Sequence, residues 1–456
     1  MNSVNSWKNG RKILLGITGG IAAYKIPYLV RLIRKAECEV EIIMTNSAKN
    51  FVAPMALATL SGRKVFTDDD FDYTIPHIKL SQWADAFIIA PCSANTLGKI
   101  ANGICDNLLT SAVIASTCPV LICPAMNENM YNNPATQKNL RVITSRQLQY
   151  YDEEILPVKE NSYVITSRQF QYSHDETQEN SHVIASKQLQ SAHNENIPQT
   201  QKNSHAFSGI KIIEPSSGAL ACGVSGKGRM PEPEEIMHEI FRALCPVHDM
   251  INKNVLVTAG PTHEYLDPVR YISNPSTGKM GAAMARSAWY RGADVKTIAG
   301  PVELDDYGFD VIHVKSALEM LEVVKNNLSW ADYIVKAAAV GDYRAKEFHS
   351  QKIKREERDA INIELVQNPD IAAEVGRLKR PGQILIGFAA ETQDILEHAK
   401  EKLTRKNLDY ILANDVTAQN SGFAYDTNTL RLIPGDKIFS GLKDEIAFDV
   451  WSNILV

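Results

Sequence analysis

The sequence predicts two α/β domains in tandem, each a mainly parallel sheet covered by helices. Three observations carry this expectation. Short β-rich runs alternate with helical stretches along the chain,. The alternation breaks near residue 245 and starts afresh near residue 254. The chain has 456 residues, 44% of them hydrophobic, which is more than one ordinary core holds,.

The first series opens with Lys12-Ile13-Leu14-Leu15-Gly16-Ile17, then Thr18-Gly19-Gly20, then a helical start at Ile21-Ala22-Ala23-Tyr24. Residues 40–44, 86–90 and 120–123 read as its next strands. The second series opens with Asn254-Val255-Leu256-Val257-Thr258 and continues at residues 295–299, 333–338, 384–387 and 410–412. Between the two, Cys245-Pro246-Val247-His248 interrupts a helical pattern. The domains are therefore expected at residues 10–244 and 253–456.

Residues 141–203 differ from both. They contain no glycine and are rich in Gln, Asn and Ser. The unit Val142-Ile143-Thr144-Ser145-Arg146-Gln147-Leu148-Gln149 returns in altered form at 164–171 and 183–190, and Thr136-Gln137-Lys138-Asn139 recurs at 200–203. Unequal spacing argues against a solenoid. The expectation is a surface insertion, disordered or partly ordered. Its His174, His182 and His193 share no ligand spacing and read as solvated,.

Composition narrows the function classes. The net charge is −5 with no dominant basic face, which argues against nucleic acid as a partner,. No apolar run approaches the roughly 20 residues of a membrane helix, and residues 1–10 are polar, unlike a signal peptide,. Seven cysteines lie scattered in contexts such as Ile122-Cys123-Pro124, which suits neither a disulfide framework nor a zinc site,. A reduced, cytoplasmic protein is expected, with no membrane and no nucleic acid among its partners.

Chemistry concentrates where strands end. Thr18-Gly19-Gly20 places backbone N–H groups at the positive end of a helix, which suits a phosphate, although such glycines also serve plain turns. Ala90-Pro91-Cys92-Ser93-Ala94-Asn95-Thr96-Leu97-Gly98-Lys99 clusters small and hydroxyl residues after a strand, at the edge where open α/β sheets bind ligands,. Pro124-Ala125-Met126-Asn127-Glu128-Asn129-Met130-Tyr131 follows the next strand. Its plainest reading is a helix cap by Asn127 followed by core methionines.

Taken together, these motifs resemble the flavin-dependent cysteine decarboxylases, whose phosphopantothenoylcysteine members carry them in this order. His77 fits the pattern within Ile75-Pro76-His77-Ile78-Lys79-Leu80-Ser81, and Cys222 within Gly218-Ala219-Leu220-Ala221-Cys222-Gly223-Val224-Ser225-Gly226-Lys227-Gly228-Arg229-Met230. The resemblance implies FMN, held by Gly19, Gly20, Thr45, Ser93, Ala94, Asn95, Thr96 and Ala125. A simple carboxylate has no electron sink, and in the family oxidation of the cysteine thiol with FMN supplies one. Carbon dioxide then leaves an enethiolate that is reduced and protonated. By the resemblance, His77 assists the oxidative and decarboxylation steps, Asn127 holds the substrate carboxylate, and Cys222, on a glycine-flanked flap, is the final acid. The departure is the segment 141–203, which stands between the Pro-Ala-Met-Asn motif and Ile212-Ile213-Glu214-Pro215. Each doubling of a surface loop adds only about 0.6 kcal/mol of closure entropy, so activity is expected to survive it.

The second half carries its own series: Val257-Thr258-Ala259-Gly260-Pro261-Thr262, Arg270-Tyr271-Ile272-Ser273-Asn274-Pro275-Ser276-Thr277-Gly278-Lys279-Met280-Gly281, Ala337-Ala338-Ala339-Val340-Gly341-Asp342-Tyr343 and Gln351-Lys352-Ile353-Lys354-Arg355. Asn368-Pro369-Asp370-Ile371, Gly387-Phe388-Ala389-Ala390-Glu391-Thr392 and the lysines Lys402 and Lys406 follow. Individually, such residues also cap helices or form solvated faces. As a series they resemble phosphopantothenate–cysteine ligases of the bacterial, CTP-using type. Their place behind the decarboxylase-like half resembles the bifunctional bacterial enzymes of coenzyme A synthesis.

The resemblance implies 4′-phosphopantothenate, cysteine and CTP as substrates, with Mg²⁺ and an acyl-cytidylate intermediate. It assigns acyl-cytidylate formation to Lys352 and binding of the intermediate to Asn274. The nucleotide site falls to Ala338, Asp342, Lys352, Asn368, Pro369, Asp370, Ile371, Phe388, Lys402 and Lys406. Lys336 and Gly341 depart from the small residues commonest around the alanine run. A homo-oligomer is implied, with trimeric flavin domains joined by ligase dimers into a dodecamer. Alternatives at this point are a ligase whose decarboxylase is impaired by the insertion and a flavin-fold regulatory subunit. A flavin prenyltransferase has neither the Cys222 flap nor the ligase half.

Overall fold

A computed structural model of the chain describes residues 7–155, 209–219, 225–304, 307–354, 362–391, 395–415 and 425–455. The first series forms a six-stranded sheet of β1 (Lys12–Ile17), β2 (Glu39–Met44), β3 (Val65–Phe66), β4 (Ala86–Cys92), β5 (Val120–Pro124) and β6 (Ile210–Ile212). Its order is β3-β2-β1-β4-β5-β6, and every pairing is parallel. β1 and β4 are buried on both faces, which is why they read as continuous apolar runs,. The covering helices are α1 (Ile26–Lys35), α2 (Pro54–Ser61), α3 (Pro76–Trp83), α4 (Ala94–Asn102), α5 (Leu108–Ile114), α6 (Glu128–Asn132) and α7 (Pro134–Ile155). A hairpin of β7 (Ser216–Ala219) and β8 (Ser225–Arg229) follows, and then α8 (Pro233–Ala243).

The second series comprises β9 (Asn254–Ala259), β10 (Glu264–Tyr265), β11 (Tyr271–Ile272), β12 (Asp294–Ala299), β13 (Asp310–His313), β14 (Tyr333–Lys336), β15 (Tyr343–Ala345), β16 (Leu365–Gln367), β17 (Ile384–Glu391), β18 (Tyr410–Asp415), β19 (Thr427–Ile433) and β20 (Lys437–Leu442). Its main sheet runs β13-β12-β9-β14-β17-β18-β19-β20, parallel as far as β18 and antiparallel beyond. β10–β11 and β15–β16 are separate short ribbons. The helices are α9 (Lys279–Tyr290), α10 (Ala317–Leu328), α11 (Ile371–Leu378), α12 (Ile395–Arg405) and α13 (Lys443–Ile454). Gly281 lets α9 lie close on β9, since an added Cβ would stand 2.7 Å from that of Ala259.

The repeat segment departs from the sequence reading at its start. The chain does not leave the first domain at residue 141, because α7 continues through it to Ile155. Leu140 and Ile143, three positions apart on one helical face, are both buried against the first sheet,. The Thr144 hydroxyl donates to the Leu140 carbonyl at 2.9 Å. The first repeat unit thus begins as core helix, and residues 156–203 lie outside the described residues.

One hydrophobic cluster runs from the first sheet through α8 and α9 into the second. At this junction Trp7 meets Phe241, Tyr290 and Phe448 at ring-centroid distances of 6.1, 5.8 and 5.7 Å. Asp444 accepts from Lys8 at 3.3 Å and from Arg286 at 3.0 Å. Burial alone would raise its carboxyl, but these two cations hold it at about 2. His238 Nδ1 lies 2.7 Å from the Tyr290 hydroxyl, and its ring stacks near Tyr307. Burial, then the Arg286 and Lys8 charges, push His238 down to about 4.

Because the folded value is below that of a free imidazole, the unfolded chain takes up the proton first. The neutral histidine's contribution is whole above about pH 6.5 and is lost as the pH falls toward 4,. Thermal melts should therefore lose roughly 1–3 kcal/mol across this window, and His238→Gln should flatten that slope. Equal slopes in the two proteins would assign the acid sensitivity elsewhere.

Candidate functional site

In open parallel sheets the strand order reverses at one point, and loops leaving the two strands there splay apart into a crevice. The reversals fall between β1 and β4 in the first sheet and between β9 and β14 in the second. Each holds a cavity.

The first cavity measures about 580 Å³. The loop after β1 (Gly19, Gly20), the start of α4 (Ser93, Ala94), the turn after β5 (Ala125, Met126, Asn127) and the end of the β7–β8 hairpin (Gly228 to Met230) line it. Thr18 ties two of these walls together. Its buried hydroxyl donates to the Pro91 carbonyl at 2.7 Å and accepts from the Ser93 N–H at 2.9 Å. Ser93 caps α4, accepting from the Thr96 N–H, so the N–H end of that helix faces the crevice,. Asn127 caps α6 through the Asn129 N–H at 2.9 Å, as its local sequence suggests,. The methionines are not core residues: Met126 is half-buried, Met130 is exposed, and both line the cavity. The hairpin is docked by the Met126 N–H, which donates to the Gly228 carbonyl at 3.0 Å. Lys25 and Arg229 both reach Glu232 at 2.8 Å, joining the far walls.

Not every expected residue meets here. Thr45 follows β2, its N–H bonded to the Ile17 carbonyl, and neither it nor Asn95 or Thr96 lines the cavity. His77 lies on α3, edge-on to Phe71 at 5.2 Å, and does not line the cavity. Cys222 lies outside the described residues, between β7 and β8 in sequence.

The second cavity, about 480 Å³, gathers Asn274, Ala338, Asp342, Asn368, Pro369, Asp370, Ile371, Phe388, Lys402 and Lys406. Two threonines on the β9 side hold the alanine loop that lines it. The Thr258 hydroxyl accepts from the Ala338 N–H at 3.3 Å, and that of Thr262 from the Gly341 N–H at 2.9 Å. Asn274 donates to the carbonyls of Ala339 and Val340, each at 3.2 Å. Buried Asn368 donates to the Gly341 carbonyl at 2.8 Å, so the alanine loop is held from three sides. Asp370 caps α11 through Ala373 and pairs with Lys406 at 2.9 Å. Burial would raise its carboxyl, but the Lys406 and Ala373 hydrogen bonds and the nearby cations hold it below its usual range.

Lys352 stands apart. It is exposed, outside the cavity, on a loop pinned where the Ile353 N–H donates to Asp267 at 3.1 Å and Arg270 donates to the Ile353 carbonyl at 2.9 Å. Three lysines absent from the expected site line the cavity instead: Lys279, Lys336 and Lys443. Lys279 pairs with Asp426 at 2.6 Å, and Lys443 donates to the Tyr425 carbonyl at 2.5 Å. The sequence signal for Lys336 was its departure from the small residues commonest around the alanine run. Among the described residues, no group of three or more His, Cys, Asp or Glu side chains is arranged to hold a metal. No helix among them is long and apolar enough to cross a membrane.

Comparison with known proteins matches residues 1–167 to the flavoprotein family and residues 250–456 to the DNA/pantothenate metabolism flavoprotein C-terminal domain. The coenzyme A biosynthesis bifunctional protein CoaBC of Haemophilus influenzae is 39% identical over 454 residues, covering 98% of each chain. That of Bacillus subtilis is 39% identical over 434 residues, covering 93% of this chain and 90% of its own. The crystal structure of the C-terminal domain of a CoaBC protein is 36% identical, covers 46% of this chain and 96% of its own, and superposes with a TM-score of 0.38.

Proposed function

The chain belongs to the family of coenzyme A biosynthesis bifunctional proteins, with phosphopantothenate–cysteine ligase and phosphopantothenoylcysteine decarboxylase activities, and we propose that the second-sheet cavity makes the cysteine conjugate that the first-sheet cavity decarboxylates. The observation that carries this reading is the coincidence of motif and topology. Each strand-order reversal holds a cavity of cofactor or nucleotide size, lined by residues of the matching motifs,.

The first cavity suits FMN. Ala125, Met126, Met130 and Met230 offer apolar walls for a flat ring, and the N–H groups around Gly19-Gly20 and the start of α4 offer donors for its phosphate,. Bound flavin supplies a two-electron sink and source beside the cysteine thiol. Asn127 holds the substrate carboxylate at the α6 cap. Cys222, between the two strands of the docked hairpin, delivers the final proton, and His77 assists the earlier steps.

In the second cavity CTP activates the carboxylate of phosphopantothenate. Lys402 and Lys406 meet its phosphates, Asn274 holds the acyl-cytidylate, and the triphosphate brings Mg²⁺ with it. Lys352, next to the pinned Ile353, aids acyl-cytidylate formation. Exposed Ile21, Tyr24 and Met130 at the first cavity, Phe71 beside His77, Tyr73, and Tyr271, Tyr343 and Leu365 on the short ribbons support a homo-oligomer,. Its fullest form is the dodecamer of trimers and dimers.

The purified protein should be yellow, with FMN bound stoichiometrically. Given phosphopantothenate, cysteine, CTP and Mg²⁺, it should release both pyrophosphate and carbon dioxide. A colourless protein that takes up no added FMN would end the decarboxylase reading, and absence of pyrophosphate release would end the ligase reading.

A further inference from the structure

Lys336 is the last residue of β14, at the carboxyl edge of the central strand, paired in register with Thr258 on β9 and Gly387 on β17. Its side chain lines the second cavity, yet it is 7% exposed and its Nζ has no hydrogen-bond partner among the described residues. The flanking strand positions offer it a hydroxyl, already used by Ala338, and a bare glycine. The charged groups around the cavity are Lys279 on α9, Asp342 after the alanine loop, Asp370 capping α11, Lys402 on α12, Lys406 just beyond it, and Lys443 on α13. Asp370 is already engaged by Lys406, and Lys279 by Asp426. A buried amine with no partner is costly for a fold to keep. It is kept here at the strand-order reversal, where ligands of open sheets bind.

We propose that Lys336 is a phosphoryl-binding residue of the ligase site, closing on a phosphoryl oxygen of the substrate and positioning it for carboxylate activation. This rests on the ligase reading above. Two sources share that chemistry, the triphosphate of CTP and the phosphate of 4′-phosphopantothenate. The proposal carries a protonic signature. Burial pushes the Lys336 amine down to about 7, and Asp370 raises it only partly. An oxyanion in contact with the amine favours the charged form, so ligand binding takes up a proton at mildly alkaline pH. Lys443 is lowered too, by burial and then by Lys279, so the Lys336 variant is needed to attribute the uptake.

The test is calorimetric titration of the full-length protein at pH 8, in two buffers of different ionisation enthalpy. CTP, inorganic pyrophosphate and 4′-phosphopantothenate are the separate probes. Wild type should take up roughly half a proton or more per site. Lys336→Met, which fills the same space without a charge, should lose most of that uptake and bind the responsible probe roughly tenfold or more weakly. Its KM for that substrate should rise more than its kcat falls. Lys336→Arg, which cannot lose its proton, should retain binding without uptake.

Uptake with CTP and pyrophosphate assigns the contact to the triphosphate, and uptake with 4′-phosphopantothenate alone assigns it to that phosphate. Decarboxylase turnover of the same chain reports whether each variant is folded. A folded Lys336→Met that binds all three probes with wild-type affinity and wild-type buffer dependence overturns the proposal and leaves the ligase reading standing. A wild type that binds none of the three overturns both.

Discussion

Replacing Gly228 with alanine is expected to lower carbon dioxide release from phosphopantothenoylcysteine by roughly 100-fold, the scale on which a misplacement of about 1 Å acts. Gly228 has φ +148°, a region that side chains rarely enter, and an added Cβ would lie 2.3 Å from the Met126 carbonyl oxygen. That oxygen is backbone, and the same turn already donates its N–H to Gly228 at 3.0 Å. The clash has no flexible side chain to absorb it. Strain of this kind costs about 1–3 kcal/mol if endured. The cheaper response is for the β7–β8 hairpin to lift. Lifting moves Gly228, Arg229 and Met230 off the cavity wall. Flavin absorbance per chain should fall as well. Pyrophosphate release should stay within about twofold of wild type, because the second cavity lies on a different sheet,. A variant that turns over normally would show that the hairpin does not shape the decarboxylase site.

The parts legible in the sequence are those set by neighbours along the chain. Glycine turns after strands, the Asn127 cap, and the buried runs of β1, β4 and β9 are local signals, and the structure places all of them. The strand-end motifs also foretold both cavities, because a parallel sheet puts all its carboxyl ends on one edge. What stayed hidden depends on contacts between distant segments. Nothing near Thr18 says that its hydroxyl will bridge to Pro91 and Ser93 across the strand-order reversal. The resemblance assigns Lys352 to the site, but the hydrogen bonds that Ile353 makes to Asp267 and accepts from Arg270 hold its loop away from the cavity. Lys336 was visible only as an odd residue before the alanine run, since burial without a partner is a property of the folded chain. The repeat segment misled for the opposite reason. A recurring motif hid a three-residue apolar spacing, Leu140 to Ile143, that belongs to a core helix.

That spacing separates two deletions that would otherwise look alike. Removing residues 141–203 takes Ile143, which is fully buried, together with Val142, which packs on the same cluster as Ile210 of β6. It also ends α7 where that helix crosses α4 and β6. Losing a buried isoleucine costs about 2–5 kcal/mol when the site cannot collapse. Here the cost falls on a helix that covers an edge of the flavin sheet, against a total domain stability of roughly 5–15 kcal/mol. This variant should express poorly, bind little flavin and melt well below wild type. Removing residues 147–203 keeps Ile143 and the Thr144 bond to Leu140. It joins Arg146 to residues 204–208, a short tether to a strand that α7 already contacts. Shortening the connection lowers its closure entropy, by about 0.6 kcal/mol per halving. That variant should fold, hold FMN and run both reactions near wild-type rates. Thermal melts and flavin content of the two proteins, measured side by side, check the argument. Equal damage in both would mean that the segment beyond residue 147 contributes to the fold itself, and equal tolerance would mean that Ile143 contributes little to the core in which it is buried.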